Sequence, residues 1–492
     1  MNATMRSTLI VFFLCAGCAL GPEPTPPATK APEDWKNAPT LISEAQNTAV
    51  EIEWWKGFGD LQLNTLIAQA FEHNLSIEMA RSRIREARHQ RRFTQSDFFP
   101  TIDGFVRYTK SRISQNTDNF FPDIPAVSEN YEAGFDATWE LDIWGQTRRA
   151  TQAAGYEYTA VENDARGLVL ATAAEIARTY LDLRAVQAEI LVTEQAIDSQ
   201  SQTFSLTEER YSAGLGSELD NERARAQLAE TRATLPTLQN RERQLMHLLA
   251  ILLAKEPTSL YQELVPTPDT ALTPPTVPAG LPSELLRRRP DLRAAEARLM
   301  SQTAQVGVAT AEFFPSISLR GTYGTAFGEK GNFFDSGSRA WNFSPELVLP
   351  IFRGGSAFAN LGIYEEREKQ AVLEYQDTVL RAFQEVEDSL SALAHERTRR
   401  IDLANSVDAN ERAVALSKEL YGEGLVDFLN VLETERALFE AQRALARSMG
   451  DEQTQLVALY KALGGGWQTE LPDANEESVP TLTSEVTKDK SS

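Results

Sequence analysis

Cys18 is the residue whose neighbours most clearly prepare a reaction. Arg6 supplies a positive charge, residues 9–14 an apolar run, and Ala16 and Gly17 two small residues directly before the thiol. That order predicts a cleaved export signal over 1–17, with an apolar stretch too short to span a bilayer as a helix. A cysteine at the cut is the acceptor for a covalent lipid. Leu14 stands one place further from Cys18 than the usual aliphatic position, which Cys15 fills. The alternative is a plain cleaved signal with an incidental cysteine. Cys15 and Cys18 are the only cysteines, so the cut leaves no disulfide scaffold and no CxxC metal site. The other reactive types form no constellation. His73, His89, His247 and His395 are scattered, lack HExxH spacing, and read as helix-surface residues. There is no phosphate-binding loop either, so energy for any transport must come from a partner. No enzyme activity, metal or cofactor is expected beyond the lipid on Cys18.

The elements around these residues follow from composition and pattern. The chain has 492 residues, 42% apolar and 24% charged, with a formal charge of −22. It is long enough for a large core, and its acidity argues against nucleic acid as the main partner. Acidity suits a water-filled conduit, and it suits mere solubility equally well. After Cys18, the stretch Gly21-Pro22-Glu23-Pro24-Thr25-Pro26-Pro27 reads as an extended tether.

The sequence is internally duplicated. SIEMARSRI at 76–84 matches DLRAAEARL at 291–299, and DFFPTI at 97–102 matches EFFPSI at 312–317, both at an offset of 215. Residues 211–215 recur at 421–425, and 249–257 at 459–467, both at an offset of 210. The order predicts an extended segment over 18–60, a first repeat over 61–255 and a Pro-rich surface linker over 256–282. A second repeat over 283–467 and a disordered tail over 468–492 follow. Each repeat opens with a helix, over about 61–97 and 283–313. Phe-Phe-Pro ends it, because proline cannot continue a helix and restricts its predecessor. A pair of strands, one very long helix, a Gly-rich break and a returning helix complete the repeat.

The strand pairs fall at 100–144 and 315–352. Tyr131, Ala133, Phe135, Ala137, Trp139, Leu141 and Ile143 alternate with Glu132, Gly134, Asp136, Thr138, Glu140 and Asp142. Ile317 to Phe327 and Trp341 to Ile351 repeat the alternation, while Thr101 to about Lys110 is less regular. Strands of this length, with aromatics near their ends and a charged opposite face, suit membrane staves around water. A soluble sheet is the competing reading. Four staves cannot close a barrel, since the smallest common ones have about eight. Several copies must therefore share one.

Residues 145–213 contain no proline, and one heptad position reads Val169, Ile176, Leu183, Ile190, Ile197, Phe204, Tyr211. Its counterpart 210 residues on reads Val379, Val386, Leu393, Arg400, Val407, Val414, Tyr421. A sustained seven-residue repeat predicts coiled-coil packing in a helix that, at about 1.5 Å per residue, reaches roughly 100 Å. The second position, Ala173, Tyr180, Gln187, Glu194, Ser201, is largely polar and predicts a helix face open to water in a hollow assembly. Pro236 should kink the returning helix. Connectivity places loops 111–130 and 328–340 outside the cell and the breaks 212–219 and 422–428 at the periplasmic tip.

Several stretches carry a resemblance. Trp54-Trp55-Lys56-Gly57-Phe58-Gly59-Asp60-Leu61, residues 281–292 (LPSELLRRRPDL), residues 294–298 (AAEAR) and residues 18–22 (CALGP) resemble the TolC-like outer-membrane efflux factors. The branch is that of the lipoproteins serving resistance–nodulation–division pumps, and the likeness spans 18 to about 467. It implies a mainly α chain with a membrane β-barrel, four β-strands per chain in a homotrimer with twelve strands, and a long periplasmic α-helical barrel. It also implies partners: outer membrane lipids, a periplasmic adaptor (membrane fusion) protein, and an inner-membrane pump of the resistance–nodulation–division type. The family's tip closes as an iris narrowed by acidic residues. The matching positions here are Glu423, Leu425 and Asp427, with Glu218 and Asp220 in the first repeat and Asn430 where some members carry a second acid. A symmetric ring of aspartates in a narrow pore attracts cations and resists anions. Helix capping by Asp220 and Asp427 is the equally weighted alternative.

The function this implies is a passive exit duct for drugs or other toxic small molecules across the outer membrane of a Gram-negative bacterium. The alternatives are a duct for heavy-metal or type I secretion traffic, a structural coiled-coil envelope lipoprotein, which would need no staves, and a periplasmic hydrolase.

Overall fold

The computed structural model describes residues 19–27, 30–36, 53–114, 116, 126–265, 282–328 and 333–465, without side chains at 282–284. The signal segment with Cys18, most of the linker, part of each strand-joining loop and the tail 468–492 lie outside the described residues. Two compact units emerge, and each draws on both repeats rather than following the sequence halves. Unit 1 comprises Met1–Thr29, Glu86–Glu162 and Leu292–Thr378; unit 2 comprises Lys30–Arg85, Asn163–Asp291 and Val379–Ser492.

The element order is α1 (Leu61–His73), α2 (Leu75–Ser96), β1 (Thr101–Arg112), β2 (Val127–Glu140), α3 (Gln146–Ser212) and α4 (Glu218–Leu252) in the first repeat. The second has α5 (Pro282–Arg288), α6 (Pro290–Ala311), β3 (Ser316–Phe327), β4 (Arg339–Val348), α7 (Ser356–Gly422) and α8 (Phe428–Ala462). Both long helices have 67 residues and both returning helices 35.

Unit 1 contains one antiparallel sheet in the order β1-β2-β3-β4. Its register joins the apolar positions of all four strands on one face. Val106 lies opposite Ala133, Phe135 opposite Tyr323, and Tyr323 opposite Trp341. The first strand keeps this register throughout. The other face is polar and cross-linked: Arg107 pairs with Glu132 at 3.1 Å, and the Thr322 hydroxyl donates to Asp136 at 2.8 Å. β2 and β4 end earlier than the apolar alternation, which runs on through Leu141 and Ile143 and to Ile351. Between β2 and β3, Gly134 faces Gly324, and a Cβ on Gly324 would lie 2.3 Å from the Ala133 carbonyl oxygen. Only glycine allows that approach.

Unit 2 is helical. Its core includes Trp54 stacked on Tyr460 at 5.1 Å, and Leu63, Leu66, Ile67, Ile176, Leu183 and Leu249. Four differences from the sequence expectation have physical causes. The opening helix is two helices, because Asn74 leaves the helical conformation. Its Oδ1 accepts from the Ser76 and Ile77 amides at 2.9 and 3.1 Å, and its Nδ2 donates to the Leu252 carbonyl at 2.7 Å. The second opening helix likewise breaks at Arg289, before Pro290. The start of the linker is not surface: Leu260 and Leu264 are fully buried. The second heptad position does not face water over its first half. Ala173, Tyr180 and Gln187 are buried; Tyr180 donates to Asp60 at 2.5 Å, and the Gln187 amide donates to the Leu264 carbonyl at 2.8 Å. Burial raises the Tyr180 phenol far above its ordinary range, so it acts as a neutral donor.

α4 runs on as one helix through Pro236. His247 is not simply a surface residue, since its ring stacks on Tyr261 and bonds its hydroxyl at 2.5 Å.

Candidate functional site

The two Gly-rich breaks fold into the same turn in unit 2. Gly214 and Gly424 both take φ +74, a left-handed conformation that ends a helix without strain only at glycine. Each turn repeats one hydrogen-bond pair. Gly214 N–H donates to the Tyr211 carbonyl and Leu215 N–H to that of Arg210, at 3.0 and 2.8 Å. Gly424 N–H donates to the Tyr421 carbonyl and Leu425 N–H to that of Leu420, at 3.0 and 2.9 Å.

Behind the turns sits a small apolar cluster of Ala224, Tyr421, Phe428 and Val431, flanked by Phe204, Val426 and Leu432. Arg210 ties the end of α3 to the end of α7. Its guanidinium carbon lies 4.8 Å from the centre of the Tyr421 ring, and its Nη1 donates to the Tyr421 carbonyl at 3.4 Å. Burial raises the Tyr421 phenol above its usual range.

The predicted tip residues now have surroundings. Glu218, Glu423 and Asp427 are exposed and Asp220 is partly covered, 4.0 Å from Arg223. Leu425 is 67% exposed, and Leu215, at the same place in the first turn, 72%. Capping by the two aspartates is not what the turns use. Ser217 caps α4 by accepting from the Leu219 amide at 3.1 Å. Asp427 holds the N-cap position of α8, but its carboxylate makes no capping bond; its backbone carbonyl accepts from the Asn430 side chain at 3.2 Å.

Pattern reading missed a buried ion pair in the same bundle. Glu435, on α8, has a side chain only 5% exposed. It takes Lys418 Nζ of α7 at 2.7 Å and the Thr203 hydroxyl of α3 at 2.8 Å. Its signal was an acid on the apolar stripe Phe428, Val431, Phe439. Glu189 and Glu452 are buried in the same way, each reached by two arginines: Arg443 and Arg447, and Arg397 and Arg400.

In unit 1 the tether is docked. Leu20 N–H donates to the Trp144 carbonyl at 3.2 Å. Arg149, 2% exposed in its side chain, donates to the Leu20 carbonyl at 3.0 Å and pairs with Glu23 at 3.0 Å. A tether that sequence reads only as extended is thereby fixed beside the end of β2. Cys18 itself lies outside the described residues.

Among the described residues, no group of three or more His, Cys, Asp or Glu is arranged to hold a metal ion, and no helix is long and apolar enough to cross a membrane. The latter says nothing of a β-barrel.

The chain matches the family described as "Outer membrane efflux protein" over residues 66–253 and 281–465. It is 33% identical over 463 residues to "Outer membrane protein OprJ" of Pseudomonas aeruginosa, covering 94% of this chain and 95% of that one. It is 31% identical over 459 residues to "Cation efflux system protein CusC" of Escherichia coli, covering 92% and 96%. The solved structure of the outer-membrane channel OprN superposes with a TM-score of 0.85 at 34% identity, over 92% of this chain and 100% of that one. With four antiparallel strands, two 67-residue helices and a duplicated order, the chain belongs to the outer membrane efflux protein family.

Proposed function

We propose that the chain is the passive outer-membrane exit duct of a tripartite efflux system, acting as a homotrimer. The four-stranded sheet of unit 1 carries this reading. Its edge strands β1 and β4 leave rows of N–H and C=O groups that lipid cannot satisfy. Four strands cannot close on themselves. Pairing β1 of one copy with β4 of the next closes a barrel, and three copies give twelve strands. The apolar face then meets lipid, and the Arg107–Glu132 and Asp136–Thr322 face lines water.

The turns at Gly214 and Gly424 form the periplasmic entrance. Exposed Asp427, free of capping duty, becomes a ring of negative charge under three-fold symmetry and attracts cations. Exposed Leu215 and Leu425 offer apolar contacts to a periplasmic adaptor, which links the duct to an inner-membrane pump of the resistance–nodulation–division class. The pump supplies the energy and selects the cargo, so the duct is not an enzyme. Small toxic compounds, drugs among them, are the cargo favoured here. CusC is named for cation efflux, and one duct architecture serves either cargo class. Cys18 carries the lipid anchor. The docked Leu20 lies two residues on, within about 7 Å of chain length.

The test is reconstitution in an efflux-deficient Gram-negative host with adaptor and pump supplied. A heat-modifiable, SDS-resistant trimer that restores export of a fluorescent dye supports the proposal. A detergent-free soluble monomer that restores nothing overturns it.

A further inference from the structure

We propose that unit 1 binds an anionic phospholipid headgroup of the periplasmic leaflet in an open surface cavity of about 470 Å³ lined by Arg91, Phe98, Arg148, Gly155 and Tyr156. The proposal rests on the reading that the sheet of unit 1 sits in an outer membrane.

The first observation is an asymmetry of charge between the repeats. Arg88, Arg91 and Arg92 lie in the C-terminal half of α2, and Arg148 and Arg149 in the first turn of α3. Their counterparts at offsets of 215 and 210 are Thr303, Val306, Gly307, Phe358 and Ala359, none of them charged. The second repeat builds equivalent helices without these arginines, so the helices do not need them. They concentrate positive charge in a chain whose formal charge is −22.

The second observation is where the charge lies. Arg92 is nine residues before the start of β1, and Arg148 eight after the end of β2. Aromatic rings mark this level: Trp139 Nε1 donates to the Phe98 carbonyl at 3.0 Å, and Trp144 packs on Phe314 at 5.0 Å between ring centres. Such rings are enriched where acyl chains meet headgroups. The docked tether points to the same level. Arg149 holds Leu20, and Gln152, which accepts from Arg149 at 2.9 Å, lines the same cavity.

The third observation is availability. Arg149 is committed to the tether; Arg148 gives its Nε to the Asp142 carboxylate at 3.0 Å and its Nη2 to the Asp142 and Ile143 carbonyls, which leaves its Nη1 for a ligand. Arg91 and Arg92 have no hydrogen-bond or ion-pair partner among the described residues. Arg91 lies over Gly155, its Nε at an ordinary contact distance of 3.8 Å from where a Cβ would stand. A phosphodiester between the Arg91 and Arg148 guanidiniums would receive charge-assisted bonds, with the Tyr156 hydroxyl as a further polar partner and Phe98 beneath the glycerol. A zwitterionic lipid would leave the excess positive charge unbalanced, which favours an anionic headgroup.

The experiment compares full-length protein with an Arg91→Gln/Arg92→Gln variant in nanodiscs of phosphatidylethanolamine with or without phosphatidylglycerol. Bound lipid is read by native mass spectrometry after detergent transfer. Phosphatidylglycerol retention should weaken roughly fivefold for each arginine removed, and inorganic phosphate should not displace it. Arg91→Lys should keep most of the retention, and Arg83→Gln, an exposed arginine elsewhere on α2, should keep all of it. Unchanged retention in the double variant overturns the proposal. So does displacement by inorganic phosphate, which would mark a free-anion site. Changed pore ion selectivity with unchanged retention would place the arginines on the lumen and overturn it as well. Lipid retention does not need a conducting pore. A silent bilayer recording of the unsubstituted protein therefore counts against the duct, not against this site.

Discussion

Gly21 and Gly307 pack backbone against backbone: a Cβ on Gly21 would stand 2.4 Å from the Gly307 Cα. Gly21 has φ +87, and the position of a Cβ on Gly307 lies 2.9 Å from the Leu20 carbonyl oxygen. The tether thus reaches α6 only where both residues lack side chains, and Arg149 locks it there. Gly307→Val should expel residues 20–23 from this seat, at about 1–3 kcal/mol for the overpacked contact. Limited proteolysis should then cut the tether faster while helix content stays constant. An unchanged cleavage rate would show that the contact does not hold the tether.

Gly134 and Gly324 make the comparable approach within the sheet, across the seam where the two repeats meet. Gly324→Val should separate β2 from β3 and lower the yield of SDS-resistant oligomer several-fold. Gly104 is the control, because a Cβ there meets only the Phe135 ring, at an ordinary 3.7 Å. Gly104→Ala should assemble normally. Equal oligomer yields from both variants would contradict close strand packing at this seam.

Glu435 bridges three helices through Lys418 and Thr203. Glu435→Ala should cost about 1–3 kcal/mol, because it strands the Thr203 hydroxyl and the Lys418 charge. Lys418 is partly exposed, which keeps the effect below that of a fully buried pair. Adding Lys418→Met should recover part of the loss in thermal unfolding. Strict additivity of the two changes would mean that they do not interact.

Asp182 of α3 titrates abnormally in unit 2. Burial pushes its carboxyl above the ordinary 3.8, and neighbouring Asp451 adds to this while Arg178 and Arg241 oppose it. Asp451 is itself raised, by burial and then by Glu396. A raised folded-state pKa means that the native state holds the proton more tightly than the unfolded chain. Its stabilising effect is complete below about pH 3.8 and is lost as pH rises through the folded value. Asp182→Asn should therefore raise the unfolding temperature at neutral pH and flatten the decline in stability from mildly acid to neutral. A lower unfolding temperature at neutral pH would mean that the ionised carboxylate is net stabilising.

How much was legible in the sequence depended on whether a local signal existed. The first long helix fills all but the end residues of the proline-free stretch 145–213, and in both repeats the C-terminal end was marked by a glycine, Gly214 and Gly424. The strand alternation was readable too, but it overran, since Leu141, Ile143 and Ile351 stay apolar beyond the last ladder pairs. Asn74 was not readable as a break. The apolar period runs across it, and its bond to Leu252 joins residues 178 positions apart. The Pro-rich linker hid the burial of Leu260 and Leu264, which depends on tertiary packing. At the turns, the glycine breaks were legible, but the Arg210–Tyr421 tie was not, because a cation against a ring leaves no spacing in sequence.

Single-channel recording of the purified full-length protein in planar bilayers tests the duct most directly. The proposal predicts discrete, cation-preferring conductance steps. It also predicts that Asp427→Ala, which removes an exposed, uncapped carboxylate, raises conductance and weakens block by multivalent cations. Bilayers that stay silent with correctly assembled, SDS-resistant oligomer would contradict the duct. Steps that Asp427→Ala leaves unchanged would remove that residue from the gate.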